Sequence, residues 1–218
     1  MLRPHTPPLP AAPPVASAVE ARYASLASTT VNLSCGGALD LAAPQTAEVV
    51  IDLGCGRGGD LLRALAHVGP TGAVVGVDAT PAMVEQARAR VATHANARVV
   101  RGDLAAIPLP DGVADVVVSN CAINHALDKA AVYREVKRLL KPGGRVVVSD
   151  VVSEAPLPES VRSDPEAWAA CYGGAIPEAD YLAAITEAGL TDLRVLKRSA
   201  PYEKGGVLVL SLTISARG

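Results

Sequence analysis

The chain has 218 residues and a formal charge of −2 from 20 basic and 22 acidic side chains, enough for one domain with a substantial core. Charges of both signs are interspersed, phenylalanine is absent and tryptophan occurs once, which argues against a basic, aromatic-rich nucleic-acid track. No window approaches eighteen uninterrupted apolar residues, so no membrane span is expected.

Prolines at positions 4, 7, 8, 10, 13 and 14 predict a flexible tail over residues 1–14 and differ from the apolar stretch of a signal peptide. A cytoplasmic location and a single domain over residues 15–218 are the expectations. Residues 15–27 read as a short amphipathic helix and 28–39 as loop. A buried-strand pattern over 48–53 ends in a glycine loop and is followed by a helix over 60–68. A second strand spans 73–78. Thr80 and Pro81 then open a helix to about residue 93. Strands follow at 97–101 and 114–119. A helix over 129–140 is stopped by Lys141-Pro142-Gly143-Gly144, and a strand follows over 145–149. Another helix covers 178–188, with late strands at 193–196 and 206–214 that suit an antiparallel edge. The β-then-α alternation predicts an α/β fold with a doubly wound, largely parallel sheet.

The loop Asp52-Leu53-Gly54-Cys55-Gly56-Arg57-Gly58 lies directly after the first strand, where glycines let the backbone approach a ligand closely. Asp78 ends the second strand at the spacing of a carboxylate that accepts ribose hydroxyl hydrogen bonds. That layout by itself suits NAD as well as other nucleoside ligands. Four cysteines stand at positions 35, 55, 121 and 171. In a reducing compartment they remain thiols, and their spacing implies no disulfide framework.

The segments Val50-Ile51-Asp52-Leu53-Gly54-Cys55-Gly56-Arg57-Gly58, Val75-Gly76-Val77-Asp78, Arg101-Gly102-Asp103 and Leu139-Leu140-Lys141-Pro142-Gly143-Gly144 resemble the class I S-adenosylmethionine-dependent methyltransferases, whose fold is Rossmann-like. The resemblance implies S-adenosylmethionine as methyl donor. It places Asp52 at the donor's methionine end, Asp78 at its ribose and Asp103 at the adenine amino group. Met83 would pack on adenine, Leu104 would offer its backbone amide to the ring, and Gly54, Gly56 and Asn120 complete the donor set.

A closer resemblance, over roughly residues 30–196, is to the arsenite methyltransferases. It rests on Ser119-Asn120-Cys121-Ala122-Ile123-Asn124, on Asp128-Lys129, on Ser149-Asp150-Val151 and on Trp168-Ala169-Ala170-Cys171-Tyr172-Gly173-Gly174-Ala175. By that resemblance Cys121, Cys171 and Cys35 bind a trivalent arsenical, arsenite or methylarsenite, and arsenic attacks the donor methyl in line. Thioredoxin or glutathione is the implied reductant. The chemistry agrees, because soft thiolates suit trivalent arsenic better than oxygen ligands do. No permanently bound metal is expected. Zinc is the competing thiol ligand, but it asks for four donors in tetrahedral geometry, and His125 is the candidate for a fourth.

Two alternatives stay open at this point. One is a small-molecule O-, N- or C-methyltransferase with His125 as base, and the other is a non-catalytic arsenic-binding or interaction module. The chain also departs from the arsenite pattern. No cysteine precedes Cys35, His125-Ala126-Leu127 stands where leucine and a serine-proline turn are usual, and Tyr202-Glu203-Lys204-Gly205-Gly206 has no metal-binding pattern. Glycines beside Cys35 and Cys171 are expected to give both segments freedom to adjust.

Overall fold

The computed structural model describes residues 13–29 and 36–218. Cys35 and the proline-rich segment before Pro13 lie outside the described residues. The expected strands appear as β1 (Val49–Leu53), β2 (Ala73–Asp78), β3 (Ala97–Arg101), β4 (Ala114–Asn120) and β5 (Leu140–Ser153). These five are parallel, in the order β3-β2-β1-β4-β5. Beyond β5 the antiparallel strands β8 (Val207–Arg217) and β6 (Thr191–Arg198) close the sheet, and β7 (Tyr202–Lys204) forms a hairpin with β8.

Valine-rich strands without polar alternation are what a sheet covered on both faces requires. Ile51, Leu53, Val75, Val77, Val117, Val146 and Val148 point to one face, against Tyr133, Val136 and Leu139 of α5 (Lys129–Leu139) and Tyr181 and Ile185 of α8 (Glu178–Glu187). Val50, Val74, Val99, Val116, Val118 and Val147 point to the other. There they meet Leu39 of α2 (Ala38–Ala42), Leu61, Leu65 and Val68 of α3 (Gly59–Val68), and Val84 and Ala87 of α4 (Pro81–Val91). The doubly wound architecture is therefore the one the sequence pattern predicts. Among the described residues no helix is long and apolar enough to cross a membrane.

Several boundaries differ from expectation for identifiable reasons. The N-terminal helix α1 spans Pro13–Leu26 and so begins inside the stretch expected to be tail. Part of the expected loop before β1 is the helix α2, whose Ala38, Leu39 and Ala42 are buried. Helix α5 stops at Leu139 because Leu140 is already extended and pairs with Ala114, ahead of the proline. Residues 141–144 then form an irregularity in the pairing, which resumes at Val116 and Arg145. Strand β5 also runs beyond the expected end at Ser149, because β8 pairs with it as far as Ser153.

Strand β1 is paired on one side with β2 and on the other with β4, so the winding direction reverses there. Ligands of open α/β sheets bind at the carboxyl ends of strands beside such a reversal. At that end the glycine loop folds back over the sheet. The amides of Gly54 and Cys55 both donate to the Val77 carbonyl, at 2.8 and 3.0 Å. The buried Cys55 side chain belongs to the core cluster. It fits because Gly76 has no side chain: a Cβ there would lie 2.7 Å from the Cys55 sulfur and 2.9 Å from Leu61. Cys55 is thus a packing residue. We expect Gly76→Ala to cost about 1–3 kcal/mol through overpacking, read by denaturant unfolding, and, by displacing the loop, to weaken binding of the S-adenosylmethionine donor that the sequence resemblance implies. Cys55→Ala keeps the loop in place and should leave donor affinity within twofold of the parent.

Candidate active site

Two cavities open at the carboxyl end of the sheet, and Gly36 lines both. The first, about 430 Å³, is bounded by Asp52, Gly54, Gly56, Arg57, Asp60 and Asn120. Gly54, Gly56 and Gly58 all have positive φ, at 72, 51 and 77°, a conformation that side chains disfavour. A Cβ on Gly54 would also collide with the Ala122 side chain. Asp78 locks this loop from below: one carboxylate oxygen accepts from the Gly56 amide and the other from the Thr80 amide, both at 2.9 Å. Thr80 is the N-cap of α4, but its side chain makes no capping bond.

Acidic and basic side chains share the lining of this cavity, Asp52 and Asp60 with Arg57, Arg63 and Arg90. Asp52 is buried, and its carboxyl is pushed up to about 8 by desolvation and then by the neighbouring charges of Asp60 and Asp78. Burial also raises Asp78. Asp60 is held by Arg63 at 2.8 Å and accepts from the Asn120 amide nitrogen at 2.9 Å. The amide oxygen of Asn120 accepts from the Ala38 backbone at 3.2 Å, so Asn120 links the first turns of α2 and α3 at this cavity. Arg57 donates to the carbonyls of Leu26 and Thr29 and ties the loop to the end of α1.

Met83, Asp103 and Leu104, the remaining residues of the expected donor set, are not on the lining of this cavity. Met83 is fully buried in α4. Asp103 stands exposed just beyond β3 and caps its own turn through the Ala105 amide at 2.8 Å, with Leu104 half-buried beside it.

The second cavity, about 630 Å³, contains Cys121 and Cys171. Both cysteines have left-handed backbones, with φ of 54 and 69°, a conformation shared with Ala43, Ala47 and Asp192 and uncommon for residues other than glycine. Cys121 follows the last residue of β4, and its amide continues the ladder to the Ser149 carbonyl at 2.8 Å. Cys171 follows α7 (Pro165–Ala169), an element not foreseen in the sequence. Asp164 caps α7 through the Glu166 amide, and the Trp168 indole is anchored on the Arg162 carbonyl at 2.7 Å.

The buried Asn124 joins the two cysteine turns. Its side-chain nitrogen donates to the Val151 carbonyl at 2.6 Å and to the Cys171 carbonyl at 3.2 Å. Asp150 accepts from the Asn124 and Val151 amides at 3.0 and 2.9 Å and from the Tyr181 hydroxyl at 3.4 Å. Gly173 and Gly174 serve close packing instead of the expected freedom to adjust. Neither has positive φ, and side chains there would collide with the Trp168 amide and the Asn124 carbonyl.

Two further residues belong to this site. The Tyr23 hydroxyl lies 3.2 Å from the Cys171 sulfur and 3.0 Å from Nε2 of His125, and that nitrogen lies 3.3 Å from the same sulfur. The Tyr23 and His125 rings meet edge to face. Burial, followed by the positive charge of Lys129, lowers His125 to about 4, so its imidazole is neutral near pH 7. Burial, with the two cysteines adding to it, raises the Tyr23 phenol. Nothing local in the sequence marks Tyr23, which comes from a helix 148 residues away from Cys171.

A family model described as a methyltransferase domain matches residues 44–197. The chain belongs to the methyltransferase-domain family. It is 37% identical over 198 residues to an arsenite methyltransferase of Halobacterium salinarum, covering 86% of this chain and 51% of the relative. It is 40% identical over 157 residues to an arsenite methyltransferase of Aquipseudomonas alcaligenes, covering 68% and 45%. The domain thus spans about half the length of these curated relatives. Among solved structures it resembles an arsenic(III) S-adenosylmethionine methyltransferase from Chlamydomonas reinhardtii, with TM-score 0.71 and 31% identity over 91% of this chain and 72% of that one.

The raised Asp52 carboxyl sets a pH dependence. A folded-state value above the unfolded one means that the neutral acid is favoured on folding. Its stability contribution is therefore full below the ordinary value of 3.8 and is lost as pH rises to about 8. Asp52→Asn should flatten the fall in unfolding stability across that window, as read by denaturant titrations from pH 5 to 9.

Proposed function

We propose that this domain transfers a methyl group from S-adenosylmethionine to trivalent arsenic held by Cys121 and Cys171. Cys35, outside the described residues, is the third thiol ligand that the sequence resemblance assigns. The observation that carries the reading is that Cys121 and Cys171, both on left-handed turns, line one cavity beside the glycine-loop cavity, with Gly36 on the wall of both.

Glycines that let the backbone approach a ligand, together with the buried Asp52 carboxyl on the same wall, support S-adenosylmethionine as the guest of the first cavity. Asp52, Asp60 and Asp78 form a carboxylate cluster whose mutual repulsion a cationic ligand would relieve. Asp52 would take the donor's ammonium end and Asp78 its ribose hydroxyls, with Gly54 and Gly56 leaving room for the chain of the ligand. Met83, Asp103 and Leu104 would serve the adenine, and Asn120 would fix the loop between donor and acceptor. When bound, S-adenosylmethionine supplies a methyl group activated by a positively charged sulfur.

On the acceptor side, each cysteine would replace one hydroxyl of arsenous acid. A sulfur–arsenic bond forms, the arsenic–oxygen bond breaks, and the thiol proton leaves with the hydroxyl as water. Thiolate ligation leaves the arsenic lone pair available as nucleophile, and soft sulfur ligands favour trivalent arsenic over harder ions. Tyr23 and neutral His125 would hold the Cys171 sulfur in place through their contacts at 3.2 and 3.3 Å. A thiol reductant such as thioredoxin or glutathione would be the accompanying partner.

The competing role of His125 as base for an O-, N- or C-methyl acceptor is less well supported, because its Nε2 is already engaged by Tyr23 and Cys171. Cys121→Ser and Cys171→Ser should each abolish most methylation of arsenite by the purified protein, measured with labelled donor, while calorimetric donor affinity stays unchanged. His125→Ala should retain transfer to arsenic. Its complete loss in a folded, donor-binding variant would favour the other acceptor class. Asp78→Ala should weaken donor binding by about 1–3 kcal/mol, since each of its carboxylate oxygens carries a hydrogen bond that shapes the site.

A further inference from the structure

The segment Tyr202-Glu203-Lys204-Gly205-Gly206 carries no metal-binding pattern, yet it folds into a wall of the acceptor cavity. Tyr202–Lys204 is strand β7, which pairs with β8 through Tyr202 and Val209. Gly205 and Gly206 turn the hairpin with φ of 60 and 76°. The turn is seated on Tyr172, the residue next to Cys171: a Cβ on Gly205 would collide with the Tyr172 ring. The Lys204 ammonium lies 5.9 Å from the centre of the same ring, a cation–π distance. The hairpin is therefore fixed beside the acceptor cysteine.

The charges on this cavity are unbalanced. Its charged lining residues are Lys197, Arg198, Lys204 and Asp150. Arg198 is paired with Glu178 at 2.9 Å. Asp150 is buried at the cavity floor and spends its oxygens on the Asn124 and Val151 amides and the Tyr181 hydroxyl. Lys197 and Lys204 thus give the outer wall an excess of positive charge. The cavity, about 630 Å³, lies in the range of about 300–1,000 Å³ that accommodates drug-sized ligands. Arsenite, one arsenic atom with its oxygens, would fill a small part of it.

Building on the arsenical reading above, we propose that the hairpin side of this cavity selects arsenicals whose substituent bears a carboxylate, with Lys204 and Lys197 as its counter-charges. Cys121 and Cys171 hold the arsenic at the floor, and the substituent extends along the wall toward the hairpin. The carboxylate reaches the site on a carbon bonded to arsenic or on a thiol that ligates it. Both sources present the same anion to the same lysines.

The test uses the full chain, labelled donor and matched acceptor pairs. The carbon-bound pair is 4-carboxyphenylarsonous acid against phenylarsonous acid. The sulfur-bound pair is arsenite premixed with mercaptosuccinate against arsenite premixed with mercaptoethanol. Methylarsenite is the small neutral reference. In the parent, the carboxylated member of at least one pair should have the lower KM, and the pair that shows it identifies the source. Lys204→Gln and Lys197→Gln should each raise that KM by about threefold, as the loss of a partly exposed charge pair implies, with kcat unchanged. The neutral acceptors should show a smaller change, and Lys204→Arg should restore the preference. If a lysine variant loses its fold in thermal unfolding, the preference of the parent and its loss at high salt decide instead. Equal KM within both pairs in the parent, with methylarsenite still turned over, overturns this proposal and leaves arsenic methylation standing. Transfer to none of the arsenicals, with donor binding intact, overturns the functional reading and this proposal together.

Discussion

Asn124 and Asp150 hold together two turns that the chain makes separately. Strand β5 continues past the end of β4, so Asp150 and Val151 project beside the turn that starts at Cys121. Asp150 accepts the Asn124 amide, while the Asn124 side chain reaches the Val151 and Cys171 carbonyls. All three groups are buried or nearly so, and a buried polar group stripped of its partner costs about 1–3 kcal/mol. That penalty keeps the Cys171 turn against the Cys121 turn, on one wall of the cysteine-lined cavity.

Lys129 complicates this arrangement in an instructive way. It is buried at the start of α5, donates to the Ala126 carbonyl at 3.1 Å and lies 5.7 Å from the centre of the Trp168 ring. Burial lowers its tendency to hold a proton, and the charge of Asp150 partly restores it. Burial in turn raises Asp150, and Lys129 opposes that shift. The ammonium also disfavours protonation of His125. One buried cation thus supports the carboxylate beneath the two cysteine turns and adds to the burial that keeps the imidazole beside Cys171 neutral.

The glycine-loop cavity and the cysteine cavity are joined by short polar links. Asn120 sits at the end of β4, one residue before Cys121, and bonds to Asp60 on the donor side and to the Ala38 backbone. Arg57 of the glycine loop holds the end of α1, and α1 carries Tyr23 to Cys171. Ala122, next to Cys121, fills the space that Gly54 leaves open. These contacts hold the glycine loop and the Cys121 turn next to each other at the carboxyl end of the sheet, the kind of preorganisation that the proposed methyl transfer would use.

Valine-rich strands, the glycine loop and the position of Asp78 at the end of β2 were legible in the sequence, because continuous apolar runs and glycine-rich turns are local signals. Cys121 and Cys171 were legible through the motifs around them, although nothing local announced their left-handed backbones. Other features arose only in three dimensions. Helix α2 forms because the sheet offers Leu39 a buried site, and Gly76 matters because Cys55 folds back over it. Gly173 and Gly174 look like hinges in one dimension and act as close-packing positions in three. Tyr23, the Asn124 bridge and the lysines of the hairpin wall come from segments far apart in the chain. Sequence determined which elements form and which residues suit the chemistry, since those depend on neighbours along the chain. Tertiary structure decided which side chains meet, since packing, burial and unsatisfied hydrogen bonds act across it.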